Sequence, residues 1–161
     1  MNFDPLVPLL LIASSLLPGL IIFTLREEAH GLRTALNLLG ATAKLLLVAV
    51  MLWGVHHGHA YETVIPFLPG FDLTFRADSL PMLFVTLSAV LWLLTTIYAI
   101  GYLEGSANRR RFFGFFSLCV SSTVGIAMAG DLFTLLVFYE MLTLTTYPLV
   151  VHRGTTQALR A

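Results

Sequence analysis

A chain of 161 residues with 57% hydrophobic and only 11% charged side chains, at a mean hydropathy of +0.85, stands far from soluble domains, about a quarter of whose residues are charged. Its formal net charge of zero gives no footing for nucleic-acid binding. The single cysteine, Cys119, rules out a disulfide or a cysteine-ligated cluster within the chain and reads as a small packing residue in an apolar run.

Five apolar stretches are long enough to span a bilayer, so the expected fold is all-α and integral to the membrane. The N-terminal MNFDP carries Asp4 and no Lys or Arg, unlike a signal peptide. The first span covers about residues 5–25, with Pro18-Gly19 as a kink or a point of close helix contact. A polar connection over 26–33 leads to the second span, about 34–55, which holds Lys44, the only lysine. Residues 56–78 form a long connection with His56, His57 and His59 and the run IPFLPG. The third span starts at Asp78-Ser79, with Ser79 as N-cap and Pro81 in the first turn, and reaches about residue 100. The fourth, about 112–129, carries Gly114, Ser117, Ser121 and Gly125 at helical spacing, which lets a neighbouring helix approach closely. Little more than Gly130 joins it to the fifth, so these two are antiparallel neighbours.

Basic residues set the orientation. Arg26 and Arg33, Arg109, Arg110 and Arg111, and Arg153 and Arg160 lie on one side, against Arg76 alone on the other. This places the first and third connections and the C-terminus in the cytoplasm, and the N-terminus and the 56–78 connection outside.

The fifth span, GDLFTLLVFYEMLTLTTYPLVVHR, contains the most demanding residue. Asp131 is a natural helix start, its carboxylate accepting from the free N–H groups of the first turn. Glu140 lies nine residues on, ~13.5 Å along a helix and near the middle of a hydrocarbon layer ~30 Å thick. An acidic side chain at that depth costs roughly 2.5–3.5 kcal/mol on insertion scales. Glu140 is therefore expected to face protein or water and to do more than bond a neighbouring helix. Thr143 and Tyr147 share its face and can hydrogen-bond to it or to a file of waters, although packing alone accounts for both. Pro148 removes the donor that would pair with the Leu144 carbonyl.

Other polar residues carry plainer readings. Lys44 could pair with a carboxylate or pass protons, but snorkelling to the interface is simpler. The three loop histidines lack acidic or cysteine partners at matching spacing, and a solvated external loop accounts for them better than a metal. A haem would need histidines at similar depth on two helices, whereas His30 and His152 sit at or beyond span ends, so no cofactor is expected. Arg109–Arg111 fit an anchor beside anionic headgroups, and Asp72, Arg76 and Asp78 fit an external ion-pair cluster.

The runs FRADSLPMLFVTLSAVLWLLTTIYAIGYLEG and RRRFFGFFSLCVSSTVGIAMAGDLFTLLVFYEMLTLTTYPLVVHRGT resemble the proton-translocating antiporter-like subunits. That family comprises the large membrane subunits of respiratory complex I and of Mrp-type multisubunit sodium/proton antiporters. FYEMLTLTTYPLVVH looks closest to the Mrp D-type subunit. The resemblance covers 75–161, while 1–74 match in hydropathy and helix count only. It implies a fold of about fourteen helices with inverted repeats, of which this chain would supply the first five. It divides the chain into a two-helix segment with an external loop, 1–74, and the start of the proton-translocating part, 75–161. It also implies that Glu140 is the membrane-embedded acid of a proton path, paired with a lysine on a later helix, a role that does not transfer to Lys44. RGTTQALRA resembles a connection into a sixth helix, so continuation is expected.

The functional expectation is a membrane subunit, or part of one, of a multisubunit monovalent cation/proton antiporter in a prokaryotic plasma membrane. Its partners would be other membrane subunits, protons, Na+ or K+, and the lipid bilayer. A subunit of an NADH-quinone oxidoreductase or related redox-driven complex is the nearest alternative. A scaffold subunit that transports nothing is the alternative of a different kind.

Overall fold

In the computed structural model, residues 6–103 and 108–151 are described. They form five helices and one hairpin: α1 Val7–Thr24, α2 His30–His56, β1 Tyr61–Leu68, β2 Phe71–Ala77, α3 Ser79–Tyr102, α4 Arg109–Ala127 and α5 Leu132–Val150. Consecutive helices run antiparallel. The hairpin and the α4–α5 junction lie at one end of the bundle, and the arginine-bearing connections lie at the other, where the Arg110 guanidinium donates to the Leu25 carbonyl at 3.0 Å.

Four of the helices are long and apolar enough to cross a membrane: α1, α2, α3 and α5. The exception, α4, opens on three arginines and carries Gly114, Ser117, Ser121 and Gly125, and those four are buried. It is the helix that the others cover, packing against α1 and α5 and lightly against α3. A helix shielded by protein has no need of a lipid-facing surface, so it can be polar. Its small residues act as the sequence suggests. A Cβ on Gly114 would lie 2.7 Å from the Phe23 ring, and one on Gly19 would lie 3.1 Å from Ser117 Cβ. Pro18-Gly19 is thus a close-contact point, and Gly40 of α2 abuts Pro18 from the other side.

Large apolar side chains point outward, among them Leu39, Leu46, Leu83, Leu94 and Leu144, while Ser15, Asn37, Lys44, Thr96, Ser117 and Ser121 are fully buried. That inversion suits a lipid solvent, and the protein is an integral membrane protein.

The 56–78 connection is not a solvated loop. Tyr61–Leu68 and Phe71–Ala77 pair antiparallel, Tyr61 opposite Ala77 and Thr63 opposite Phe75. The turn between them uses Gly70 at φ +86, a conformation that suits glycine. Tyr61, Phe75 and Ala77 enter the main apolar core with Leu11, Met51, Met82, Val124 and Phe138. The hairpin therefore caps the bundle, so the fold is not purely helical. Asp78, rather than Ser79, caps α3, accepting from the Leu80 N–H at 3.2 Å. Arg76 and Asp78 form an exposed ion pair at 3.9 Å, while Asp72 sits further along β2 opposite Pro66.

Candidate functional site at mid-depth of the fifth helix

The hairpin positions α5 from its first residue. β2 lies along the α4–α5 junction, where Arg76 N–H donates to the Met128 carbonyl at 2.7 Å and Gly130 N–H donates to Thr74 O at 2.8 Å. A Cβ on Gly130 would sit 2.8 Å from Thr74 Cγ2, so glycine permits this approach. The Thr74 N–H in turn donates to the buried Thr134 hydroxyl at 2.8 Å.

Asp131 caps α5 as the sequence suggests, accepting from Thr134 N–H at 2.6 Å. That backbone donor holds its carboxyl below the usual range, with the Thr74 and Thr134 hydroxyls adding to the effect and burial opposing it. Asp131→Ala is expected to destabilise the protein by about 1 kcal/mol. The lowered pKa means that the cap contributes fully above the unfolded value of about 3.9 and loses its advantage as pH falls through the folded value. The gap in thermal stability between wild type and Asp131→Asn should accordingly narrow in acid, as followed by circular dichroism in detergent.

Two contacts fix the rotation of α5. The Phe138 ring fills the space over Gly125, where a Cβ would lie 2.1 Å from the ring, and it meets Phe75 edge-on at 5.5 Å. Seven residues on, the Thr145 hydroxyl accepts from Cys119 Sγ at 3.3 Å. Gly125→Ala is expected to force α4 and α5 apart and destabilise by about 1–3 kcal/mol. Adding Phe138→Leu should recover part of that loss, measured as a double-mutant cycle in thermal unfolding.

With Phe138 and Thr145 turned inward, Glu140 must point away, since two residues advance a helix by ~200°. It is the ninth residue of α5, at mid-length as expected, but it is exposed rather than buried. Thr143 and Tyr147 are exposed on the same face. The Thr143 hydroxyl donates to the Tyr139 carbonyl at 3.0 Å. Around the carboxylate, the uncovered face presents Leu132, Leu136, Tyr139, Leu144 and Val150. It is an apolar surface with one acid at its centre.

Lys44 occupies a different place. It lies midway along α2, wholly inaccessible, with Nζ donating to Ser15 Oγ at 2.6 Å and lying 4.9 Å from the centre of the Trp92 ring. Snorkelling is thereby excluded. Neither ion pair found among the described residues, Arg33–Glu27 or Arg76–Asp78, involves it. The buried face of α2 carries Arg33, Asn37 and Lys44 in line, and Asn37 links onward by accepting from Ser117 Oγ at 3.2 Å. The structure does not bring Lys44 to Glu140, because α1 and α4 stand between α2 and α5. The spacing of Arg33, Asn37, Gly40 and Lys44, at i, i+4, i+7 and i+11, is the signal in the sequence for this polar stripe.

Among the described residues, no three His, Cys, Asp or Glu side chains converge as a metal site would require. His57 Nδ1 lies 2.7 Å from the Trp53 carbonyl, and His30 Nδ1 lies 2.8 Å from an Arg33 nitrogen. His152, Arg153 and Arg160 lie outside the described residues, as does the RGTTQALRA segment.

Comparison with known proteins agrees with the resemblance carried by residues 75–161. The family model described as "NADH-Ubiquinone oxidoreductase (complex I), chain 5 N-terminus" matches residues 70–113. The chloroplastic NAD(P)H-quinone oxidoreductase subunit 5 of Chara vulgaris is 24% identical over 153 residues, covering 90% of this chain and 23% of that protein. The D-type Na(+)/H(+) antiporter subunit of Alkalihalophilus pseudofirmus is 27% identical over 90 residues, covering 56% of this chain and 18% of that protein. Among solved structures, a chain of the membrane-bound sulfane sulfur reductase, an archaeal respiratory membrane complex, superposes with a TM-score of 0.75 at 18% identity. That match covers 87% of this chain and 22% of the other. The chain is thus related to the antiporter-like membrane subunits, and it spans less than a quarter of the length of the curated relatives it matches.

Proposed function

We propose that this chain, a relative of the antiporter-like membrane subunits, takes part in proton translocation within a multisubunit monovalent cation/proton antiporter, with Glu140 as the relay carboxylate. The observation that carries the reading is an acid at mid-length of an apolar span, on a face that nothing else in the described bundle covers. Exposed to hydrocarbon, such a group would cost several kcal/mol, so a further helix bearing a cation, or a file of water, is the counterpart this face requires. That helix would come from further sequence of the same protein or from another membrane subunit. Residues 75–161 form the beginning of the translocating part and 1–74 its two-helix preface. Thr143 and Tyr147 extend the hydrogen-bonding path along the same face, and Lys44 is a separate buried site.

The bundle end that bears the arginines faces the cytoplasm and the hairpin faces outward, in a prokaryotic plasma membrane. Similarity to quinone oxidoreductase subunits supports a second reading, in which a redox module drives the same relay. Exchange of Na+ or K+ against a proton gradient, measured in everted vesicles with wild type and Glu140→Gln, is the test. Near-normal exchange by an assembled Gln variant would leave Glu140 only the docking role of a scaffold subunit.

A further inference from the structure

Between α3 and α4 the bundle is loosely packed, and two cavities lie end to end along the seam. The outer, about 590 Å3, is lined by Arg76, Asp78, Leu80 and Phe84 on one side and by Ile126 and Ala127 on the other. The deeper, about 300 Å3, runs past Leu87, Ser88, Leu91 and Trp92 opposite Phe116 and Val120. Phe84 and Thr123 line both, so the two form one groove. From Leu80 to Leu91 it descends ~16 Å, about half of a ~30 Å hydrocarbon layer. Its walls below the mouth are mostly apolar, broken by the Ser88, Thr95 and Thr123 hydroxyls, and Ser88, Thr123 and Ala127 are short enough to hollow it.

The mouth differs in kind. The Arg76 guanidinium and the Asp78 carboxylate stand side by side, 64% and 53% exposed and only 3.9 Å apart at their nearest atoms. One oxygen of Asp78 serves the α3 cap, which leaves the other directed at Arg76 alone. A cation and an anion set together above an acyl-length slot match one class of ligand. We infer that this groove binds a zwitterionic aminophospholipid of the hairpin-side leaflet. Its phosphate would lie against Arg76, its ammonium against Asp78, and one acyl chain along Phe84, Leu87 and Leu91. Guanidinium pairs well with phosphate, and a primary ammonium donates three hydrogen bonds where a quaternary choline donates none.

The test is lipid retention by the protein purified in its native membrane assembly, delipidated and then exposed to phosphatidylethanolamine, phosphatidylglycerol or phosphatidylcholine, and read by native mass spectrometry. Retention of phosphatidylethanolamine is expected to exceed that of the other two roughly tenfold. Arg76→Gln and Asp78→Asn should each abolish that preference, and Asn still caps α3, so helix fraying cannot explain the loss. Equal retention of all three lipids, or a preference that survives both substitutions, would overturn the inference. A photo-crosslinker at Ala127 supplies the second arm. Capture of lipid supports the assignment, and capture of a protein segment overturns it. Neither arm reads transport, so failure here is distinguishable from failure of the Glu140 relay.

Discussion

Glu140→Gln is expected to bring cation/proton exchange to background, a loss of roughly hundredfold or more if the carboxylate carries every proton. Glutamine keeps the shape and the hydrogen-bonding reach of the side chain and removes only its ability to take and release a proton. The packing of α5 should be untouched, because Phe138 against Gly125 and Thr145 against Cys119 lie on the opposite face. Assembly is therefore expected to survive, and loss of exchange would report on chemistry rather than folding. Glu140→Asp keeps the charge and withdraws it by one methylene, so partial exchange is expected. Thr143→Ala should cost less than either, since that hydroxyl already has a partner in the Tyr139 carbonyl. Measured by dye quenching in vesicles with expression controlled by blotting, an assembled Gln variant that still exchanges would remove Glu140 from any proton path.

The place of Glu140 at mid-length of α5 is legible in the sequence alone, because one helix start and one rise per residue determine it. Asp131 caps α5 as its type and place suggest. What surrounds Glu140 is not legible in the same way. Burial depends on which face of α5 meets α4, and that rests on the fit of Phe138 over Gly125, a pairing between helices that leaves no periodic mark on α5 itself. The small residues of α4 are legible because they repeat at helical spacing along one helix and meet α1 there, as at Gly114 and Ser117.

The hairpin is hidden for a different reason. Its strands alternate Tyr61, Thr63 and Ile65 inward against Glu62 and Val64, and Pro69-Gly70 marks the turn, so the period-two signal is present. In a chain dominated by spans, that signal passes for a connection. Yet β2 holds the α4–α5 junction through Thr74 and Arg76, and so places the start of the helix that carries the acid. An element that looks incidental in the sequence aligns the candidate site.

Lys44→Met is expected to raise thermal stability. The Lys44 amine is fully enclosed, with one hydrogen bond to Ser15 and one aromatic face 4.9 Å away as its compensation. For the charged form, a hydrogen bond contributes about 1.5–3 kcal/mol and a desolvated cation–π contact about 2 kcal/mol, against a burial penalty of several kcal/mol. Replacing a buried charge with an apolar side chain of similar length is commonly neutral or stabilising by about 1–4 kcal/mol. Methionine also fills the space and bends to fit it, unlike alanine, which would leave a cavity between α1, α2 and α3. A melting temperature that falls in Lys44→Met as it does in Lys44→Ala would make the Ser15 bond a structural necessity. A rise with unchanged exchange would remove Lys44 from the transport machinery. A more stable protein that also exchanges more slowly would instead mean that a polar group unfavourable to the fold is retained for what it does, on a helix that Glu140 never touches.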